Sequence, residues 1–556
     1  MDGPTTLAFY GLGAAAVATS AVTLKKRLEL SQAKHRSLAG HSRLSRRIAR
    51  FLPFYEYDEK RFFASDSTPE EIIARRRAGF DKLSALYQNR FAETIRRTAE
   101  AAKSISDLQF TDAYRVPFQY RRLVQEKLPS AAMVQSSSGV TVTDLDGNAN
   151  YDLSGSYGVN ILGYDFYKSA IERGAARVRE LGPVLGPYHP LIIENVELLK
   201  KISGLDEVSF HMSGTEAVMQ AVRLARYHTK RSHLVRFCGA YHGWWGDVQP
   251  GIGNPLPAHE TYTLNDMSED ALRVLRNRNN IACVLVNPEQ GFHPNGSAPT
   301  DSALVDSTRS SHFDKEAYTD WLKRLRQICT ERNIVLIFDE VFVGFRVAPG
   351  GAQEYFGVRA DLVTYGKTVG GGLPIGVVGG KRELMKRFRD DRPADICFAR
   401  GTFNSHPYVM AAMNEFLRHF QTPQVQALYV GLDDTWNARA ERLNRRLTDE
   451  GLPVYLANMS SLFVVCYTQP SRYNWMLQYY LRAEGLALSW VGTARLIFSL
   501  NYTAADFDAV ADRFVAAAKA MQRDGWWWHD PATTNKSIKR AILKEMIARR
   551  FFASRN

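Results

Sequence analysis

Two stretches of the sequence, NIVLIFDE (333–340) and DLVTYGKT (361–368), decide its fold class. Each is a short apolar run that ends in a residue with reactive chemistry, Asp339 in the first stretch and Lys367 in the second. Three other runs have the same form: EVSF (207–210), HLVRF (233–237) and IACVLV (281–286). Short apolar runs that alternate with helical patterns are typical of a mostly parallel sheet covered on both faces.

Polar and reactive residues follow all five runs. They are Ser213-Gly214-Thr215 after the first run along the chain, Tyr241-His242-Gly243 after the second, Asn287-Pro288-Glu289 after the third, and then Asp339 and Lys367. In open α/β sheets the ligand binds beyond the carboxyl ends of the strands. We therefore predict that hydroxyl groups, an aromatic ring, a carboxylate and a lysine gather at one edge of the sheet.

The net charge of +13 is confined to the two ends of the 556-residue chain. Residues 1–110 carry 19 basic and 12 acidic side chains, residues 535–556 carry 7 and 1, and the segment between them is neutral. Because 45% of the residues are apolar and 23% are charged, the chain can bury a large core. A neutral body with basic ends indicates a globular enzyme that touches an anionic surface through its termini, and no nucleic-acid partner is predicted.

The motifs that the sequence lacks exclude several kinds of site. The five cysteines are far apart and form no CxxC pair, so we predict reduced, mostly buried thiols and no zinc site. No GxGxxG follows a strand and no GxxxxGKS/T occurs, so neither a dinucleotide site nor a P-loop is supported. The histidines form no HExxH pattern, and no metal site is predicted.

An uncharged apolar run occupies residues 7–24, LAFYGLGAAAVATSAVTL, and approaches the length of a transmembrane helix. Residues 25–50 follow with nine Lys or Arg and one acid, Glu29. The positive-inside rule then predicts a membrane anchor with the catalytic body in the cytoplasm. The alternative is a loosely attached apolar tail or a helix that binds a partner.

The C-terminal segment 535–552 has the pattern of a basic amphipathic helix and follows three tryptophans at 526–528. Ile538, Ile542 and Met546 recur at intervals of four residues, and Lys or Arg occupies much of the remainder. Such a helix either lies in the headgroup layer of a membrane or packs on the protein body or a partner subunit.

The reactive residues have simple interpretations when each is taken alone. Ser213-Gly214-Thr215 opens a helix, which makes either an anion-binding cradle or an ordinary helix cap. Asp339 ends a very apolar strand, so it either caps a backbone group or pairs with a buried cation. Lys367, between Gly366 and a triple glycine, is either an exposed lysine or one that binds an aldehyde covalently.

Taken together, these residues fit one cofactor, pyridoxal phosphate. It has a phosphate, a ring nitrogen that needs a carboxylate, a flat ring that stacks on an aromatic side chain, and an aldehyde that reacts with a lysine. Four blocks of sequence resemble the class III aminotransferases of fold type I, and they are closest to the glutamate-1-semialdehyde 2,1-aminomutase-like members. The blocks are HMSGTEAVMQAVRLAR (211–226), GAYHG (239–243), IFDEVFVGFRVAPGGAQEYFGVRADLVTYGKTVGGGLPIGVVGG (337–380) and GTFNSHP (401–407).

This resemblance covers residues 111–525 and implies an α/β fold with shared active sites in a homodimer. The large domain would hold a mostly parallel, seven-stranded sheet, beside a smaller α+β domain and the N-terminal apolar helix. The resemblance implies that Ser213, Gly214 and Thr215 bind the phosphate and that Tyr241 stacks on one face of the ring, with Val341 against the other face. It implies that Asp339 binds the ring nitrogen and that Lys367 forms the covalent link and moves the proton. Thr402 would bind the phosphate in the active site of the neighbouring subunit.

The predicted organisation divides the chain into six segments. They are an anchor helix (1–24), a basic linker with a helical extension (25–110), the N-terminal part of the small domain (111–165), the large cofactor-binding domain (166–425), the C-terminal small domain (426–530) and the basic C-terminal helix (531–556).

The expected activity is transfer of an amino group from an amine or amino-acid donor to an aldehyde or ketone acceptor, and the alternative is glutamate-1-semialdehyde 2,1-aminomutase. The segment 244–264, WWGDVQPGIGNPLPAHETYTL, is shorter than the gating segment of the aminomutase, which favours the aminotransferase. The basic ends and clustered aromatics suggest a lipophilic or polyketide-like acceptor at a membrane surface. The candidate pocket residues are Tyr157, Trp244, Trp245, Glu289 and Phe292, although any one of them is as readily explained by core packing.

Overall fold

The computed structural model describes residues 19–35, 41–249, 251–256, 258–292, 313–490 and 495–552. The described part of the first helix, α1, spans 19–32. The further helices are α2 (Ser42–Phe51), α3 (Glu59–Phe63), α4 (Glu70–Arg90), α5 (Ala92–Ala102), α6 (Ser106–Tyr114), α7 (Arg121–Lys127), α8 (Tyr164–Arg177), α9 (Leu191–Ser203), α10 (Gly214–Thr229), α11 (Glu269–Asn277), α12 (Lys315–Glu331), α13 (Gly351–Phe356), α14 (Arg382–Met385), α15 (Pro407–Phe420), α16 (Pro423–Ala427), α17 (Leu432–Asp449), α18 (Leu477–Ala483), α19 (Ala504–Arg523) and α20 (Asn535–Phe552).

A seven-stranded sheet forms the centre of the molecule, as predicted. All five apolar runs are strands in it. In spatial order its strands are β4 (Glu207–His211), β10 (Gly376–Gly380), β9 (Leu362–Gly366), β8 (Val335–Asp339), β7 (Ile281–Val286), β5 (His233–Phe237) and β6 (Thr261–Leu264). Strand β10 is antiparallel to both of its neighbours, and every other pair is parallel.

Alternate residues of the central strands pack into two different hydrophobic cores. On β8, Leu336 and Phe338 join one core, whereas Val335 and Ile337 join the other. Successive side chains of a strand point to opposite faces, so both faces of this sheet are covered. This explains why the strands are continuous apolar runs and do not alternate with polar residues. Gly376 is required at the start of β10, because a Cβ there would lie 2.0 Å from the carbonyl oxygen of Ser213.

Smaller sheets flank the central one. The first combines β1 (Ser136–Ser138), β2 (Thr141–Thr143) and β3 (Ala149–Asp152) with the distant strand β15 (Leu486–Ala487), which is parallel to β3. The turn at Asp146-Gly147-Asn148 connects β2 to β3, which pair in antiparallel orientation. A second sheet holds β13 (Val454–Met459), β14 (Leu462–Tyr467) and β16 (Arg495–Ile497), and β11 (Phe388–Arg389) pairs with β12 (Arg392–Ile396).

Helices α3, α4 and α5 lie within the helical extension predicted for residues 25–110, and they pack on the C-terminal part of the chain. The Arg76 guanidinium is fully buried, binds the carboxylate of Asp66 at 2.7 and 2.8 Å, and donates to the carbonyl oxygen of Gly525. Phe62 and Trp526 lie beside it in the main core. Residues 57–102 are therefore an integral part of the folded body, which the prediction of a linker with an extension had not anticipated.

The predicted membrane anchor falls largely on residues 1–18, outside the described residues. Within the described ranges, no helix combines the length and apolar character that crossing a bilayer requires. The described part of α1 lies on the body near β6: Ala33 is buried, and its carbonyl oxygen accepts a hydrogen bond from the Asn265 amide. In the described part of α1, residues 19–28 are exposed, and the carbonyl oxygen of Lys26 accepts a hydrogen bond from Arg278.

The C-terminal helix α20 packs on the protein body through the row that the sequence singled out. Ile538 is buried and Met546 packs against the main core. Glu545, on the same side, binds Arg61 at 2.8 Å and Arg472 at 3.0 Å and accepts from the Tyr57 hydroxyl. A second apolar row, Leu543, Ile547 and Phe551, remains exposed. The prediction that this helix packs on the protein body is thus confirmed for the row of Ile538 and Met546 only. The five cysteines are buried free thiols, as predicted.

Candidate active site

The reactive residues meet where the central strands end. Asp339 is the last residue of β8 and pairs in register with Thr364 on the adjacent strand β9. Lys367 follows β9 directly, and Gly366 precedes it in extended conformation. Parallel strands end at the same edge of a sheet, so a carboxylate and an amine that are 28 positions apart in sequence are brought to neighbouring strand ends.

The Asp339 carboxylate is held by three donors. Nδ1 of the buried His242 donates to Oδ2 at 2.7 Å. The Thr364 hydroxyl, at 3.1 Å, and the amide of Val341, at 3.2 Å, donate to Oδ1. An ionised carboxylate only accepts hydrogen bonds, so these three donors give the Asp339 side chain a defined orientation. The Val341 amide is a backbone group of the kind that the sequence allowed Asp339 to cap.

Lys367 is held in an unusual conformation and a dry environment. Its φ of 52° lies in the left-handed region, which non-glycine residues rarely adopt and which is found most often at functional sites. Burial lowers the pKa of its amine, and the negative charges of Asp339 and Glu289 offset only part of that effect. The ammonium form loses hydration when it is buried, so the neutral, nucleophilic amine is favoured.

The N-terminus of α10 faces the same region. Ser213 is the N-cap and accepts from the amide of Glu216 at 3.2 Å, while the amides of Gly214 and Thr215 precede the first intrahelical bond. Glycine is needed at two positions around the N-terminus of α10. A Cβ on Gly214 would lie 2.7 Å from Val341, and one on Gly243 would lie 2.4 Å from the Thr215 hydroxyl. These glycines therefore let Val341 and the segment around Gly243 pack directly against the helix end.

The residues at this edge fit pyridoxal phosphate. A helix N-terminus with hydroxyl groups suits its phosphate, and Ser213, Gly214 and Thr215 would hold that group. The oriented anion of Asp339 suits the ring nitrogen, and the neutral amine of Lys367 suits the aldehyde. Val341 lies between Gly214 and Gly366, within reach of one face of a ring bound there. The buried Nε2 of His242 has no hydrogen-bond partner within the described residues.

The other predicted residues differ in how exposed they are. The Tyr241 side chain is 53% exposed, so its ring is available at the site. Partial burial and the nearby charge of Asp339 raise the pKa of the Tyr241 hydroxyl. Thr402 is exposed and away from the cluster within this chain, which leaves its predicted role across a dimer interface as a prediction. Trp244 is 75% exposed, whereas Trp245 packs against the second core and Phe292 is buried in the main core.

Glu289 forms an ion pair that sequence reasoning missed. Its Oε1 lies 2.7 Å from Nη1 of Arg495, the first residue of β16, and Glu289 is close enough to Lys367 to influence its pKa. Arg495 lies 206 residues beyond Glu289 in the sequence, and no local motif marks it as a partner of Glu289. His242 was also unassigned, although it lies inside the GAYHG motif that the sequence analysis quoted.

The comparisons with known proteins agree with this geometry. The family model "Aminotransferase class-III" matches residues 124–246 and 314–518. A glutamate-1-semialdehyde 2,1-aminomutase from Citrifermentans bemidjiense is 33% identical over 366 residues, which are 62% of this chain and 78% of the relative.

Two solved structures have the same fold over most of their length. A transaminase with pyridoxal phosphate bound is 26% identical, with a TM-score of 0.60 over 78% of this chain and 98% of the other. A glutamate-1-semialdehyde aminomutase from Pseudomonas aeruginosa PAO1 is 17% identical, with a TM-score of 0.64 over 81% and 99%. The chain therefore belongs to the class III aminotransferases and is an enzyme whose cofactor is pyridoxal phosphate.

Proposed function

We propose that this enzyme transfers an amino group from an amine or amino-acid donor to an aldehyde or ketone acceptor. The proposal rests on two groups that stand at neighbouring strand ends. One is the buried amine of Lys367, whose pKa is lowered, and the other is the oriented carboxylate of Asp339. Pyridoxal phosphate, when bound, supplies the aldehyde that carries the amino group and the ring that withdraws electrons from the reacting carbon.

Two side chains supply the acid–base chemistry in this proposal. Because burial favours the neutral form of Lys367, its amine can take a proton from the reacting carbon and return it to another atom. Asp339 would bind the ring nitrogen, and His242 and Thr364 hold its carboxylate in place. The body also excludes water, since the strand ends that carry these residues are buried.

The Glu289–Arg495 ion pair supports a substrate that bears a carboxylate. Arg495 is partly exposed at the site, and an arginine binds a carboxylate through two parallel hydrogen bonds. We propose that Arg495 leaves Glu289 when a substrate carboxylate arrives. An Arg495→Met variant is expected to lose about 10- to 100-fold in kcat/KM for amino-acid donors and to keep its rate with uncharged amines. An equal loss for both donor classes would contradict this role.

The experiment that tests the proposed reaction follows the visible absorbance of the bound cofactor while amines and amino acids are added one at a time. A donor should change the spectrum without an acceptor present, and a carbonyl compound should restore it. Lys367→Ala should abolish the change, whereas Lys200→Ala, an exposed lysine on α9 that pairs with Glu197, should leave it intact. A wild-type spectrum that no donor changes would overturn the proposal.

A second candidate is glutamate-1-semialdehyde 2,1-aminomutase, the enzyme from C. bemidjiense to which this chain is similar. An aminomutase needs no external donor, because the same molecule gives and receives the amino group. Mixing the enzyme with glutamate-1-semialdehyde and measuring 5-aminolevulinate distinguishes the two. Product without added donor favours the aminomutase, and product only with donor favours the aminotransferase.

We further propose that the enzyme works at an anionic membrane surface, with its catalytic body on the cytoplasmic side, on a lipophilic or polyketide-like acceptor. The support is a terminal patch, defined as the exposed faces of α2 and α20. Phe51 of α2 lies 6.1 Å from Phe551 of α20, and Arg550 lies over the Phe51 ring. Exposed apolar side chains ringed by basic residues are typical of helices that lie in a headgroup layer.

The membrane proposal is tested by sedimentation with lipid vesicles. The full chain should pellet with phosphatidylserine-containing vesicles and less with phosphatidylcholine alone, and salt should release it. A triple variant, Arg43→Glu, Arg47→Glu and Arg50→Glu, should weaken binding. Lys200→Glu with Lys201→Glu, which changes charge on α9 far from the patch, is the control. Equal binding by both variants would remove the patch from the proposal.

A further inference from the structure

A cavity of about 770 Å³ lies between the first small sheet and the segment 482–490. Its volume is within the range of sites that bind small molecules, roughly 300–1,000 Å³. It is open on one side, and Tyr157 forms part of its wall. The next residue, Gly158, faces the catalytic lysine, because a Cβ there would lie 3.3 Å from Cδ of Lys367. The cavity and the active site are thus separated by one short turn.

This turn, residues 155–158, is held in a rare conformation. Ser156 and Tyr157 both have positive φ, 45° and 55°, a conformation that non-glycine residues rarely adopt. Hydrogen bonds hold the turn: Ser156 bonds the Tyr164 hydroxyl at 2.8 Å, and the Ser489 hydroxyl donates to that of Tyr157 at 3.1 Å. The strain places the Tyr157 ring on the cavity side, where it is 57% exposed.

The charged groups of the cavity wall are engaged with protein partners. Arg482 donates to the carbonyl oxygens of Leu488 and Ser489 and lies 3.6 Å from the centre of the Trp490 ring. The carboxylate of Asp152 accepts from Tyr164 at 2.7 Å and from Ser154. The rest of the lining includes apolar side chains, among them Met133, Val142, Leu486 and Leu488, and uncharged polar ones such as Gln135, Asn150 and Ser154. Such a wall favours a ligand without charge.

We propose that this cavity binds the unbranched hydrocarbon chain of the carbonyl acceptor, whose carbonyl end lies beside Lys367 while its chain passes Tyr157. The proposal rests on the proposed aminotransferase function and names the substrate class for it. The proximity of the cavity to the lysine, its apolar wall and its size all favour a flexible alkyl chain. A short or charged acceptor would leave the apolar wall in contact with water.

The test is a series of n-alkanals, from butanal through octanal to dodecanal, with one amino donor and the full-length holoenzyme. Each methylene that leaves water for the cavity is expected to raise kcat/KM about three- to fourfold, until the cavity is full. Butanal turnover in the same assay establishes that the enzyme is an aminotransferase. Turnover of butanal together with a kcat/KM that does not rise with chain length would overturn the cavity proposal and leave the proposed function standing.

A cavity-filling variant gives an independent test. Ala487, on β15, lines the cavity, and Ala487→Phe should lower kcat/KM for dodecanal by at least about tenfold while butanal is little affected. The matched control is Ala149→Phe on β3 of the same sheet, because Ala149 is exposed and does not line the cavity. The melting temperature of each variant reports whether it folds. A folded Ala487→Phe enzyme with an unchanged preference for dodecanal would also overturn the proposal.

Discussion

Replacing His242 tests how the anion at the ring nitrogen is maintained. His242 Nδ1 lies 2.7 Å from Asp339 Oδ2 and the histidine is buried, so His242→Phe removes a short hydrogen bond to an ionised group. Such bonds are worth about 1.5–3 kcal/mol, which corresponds to about a 10- to 100-fold change in rate if the whole effect falls on the transition state. The phenylalanine also leaves one carboxylate oxygen buried without its donor, which favours the protonated form of Asp339.

The same carboxylate provides an internal comparison. Thr364 donates to the other oxygen at 3.1 Å and is a neutral hydroxyl at a longer distance, so Thr364→Val should cost about 0.5–1.5 kcal/mol, or about 2- to 10-fold. The assay is kcat/KM for the donor half-reaction, combined with the pH dependence of the cofactor absorbance. His242→Phe should shift that pH dependence and Thr364→Val should shift it less.

The control for this comparison is His228→Phe. His228 is half-buried at the end of α10 and bonds the carbonyl oxygen of Lys386, far from the strand ends. The His228→Phe variant should keep wild-type kinetics. If His242→Phe retained wild-type kcat/KM and an unshifted pH dependence, the reasoning that Asp339 depends on its histidine would be refuted.

Three further outcomes follow from the structure. Gly158→Ala should reduce cofactor-dependent activity strongly, because its Cβ would lie 2.5 Å from the Phe342 ring at a φ of +94°; a folded variant with normal kcat would contradict the close approach. Glu545→Gln should free α20 to limited proteolysis. Burial opposes ionisation of Glu545, but hydrogen bonds and the charge of Arg472 outweigh it and lower the pKa, so the contact stabilises the fold above the unfolded pKa and is lost as pH falls through the folded one. Cleavage of α20 in the wild type should therefore rise only once the pH falls below the ordinary glutamate pKa of 4.5, whereas the Gln variant should be pH-independent there.

The sequence alone determined the central architecture and most of the cofactor residues. Strands buried on both faces must be continuous apolar runs, so all five runs were recognisable, and the chain direction placed Asp339 and Lys367 at neighbouring strand ends. The helix cap at Ser213 was equally local, since the hydroxyl and the amide it binds are three residues apart.

The tertiary structure alone decided the contacts between residues that are far apart in sequence. The pairing of Glu289 with Arg495 and the docking of Glu545 against Arg61 and Arg472 depend on which strands and helices become neighbours, and no local pattern encodes that choice. The same holds for Phe292, whose burial depends on what surrounds the end of β7. Periodicity reports which face of an element is apolar, but only packing decides what covers that face.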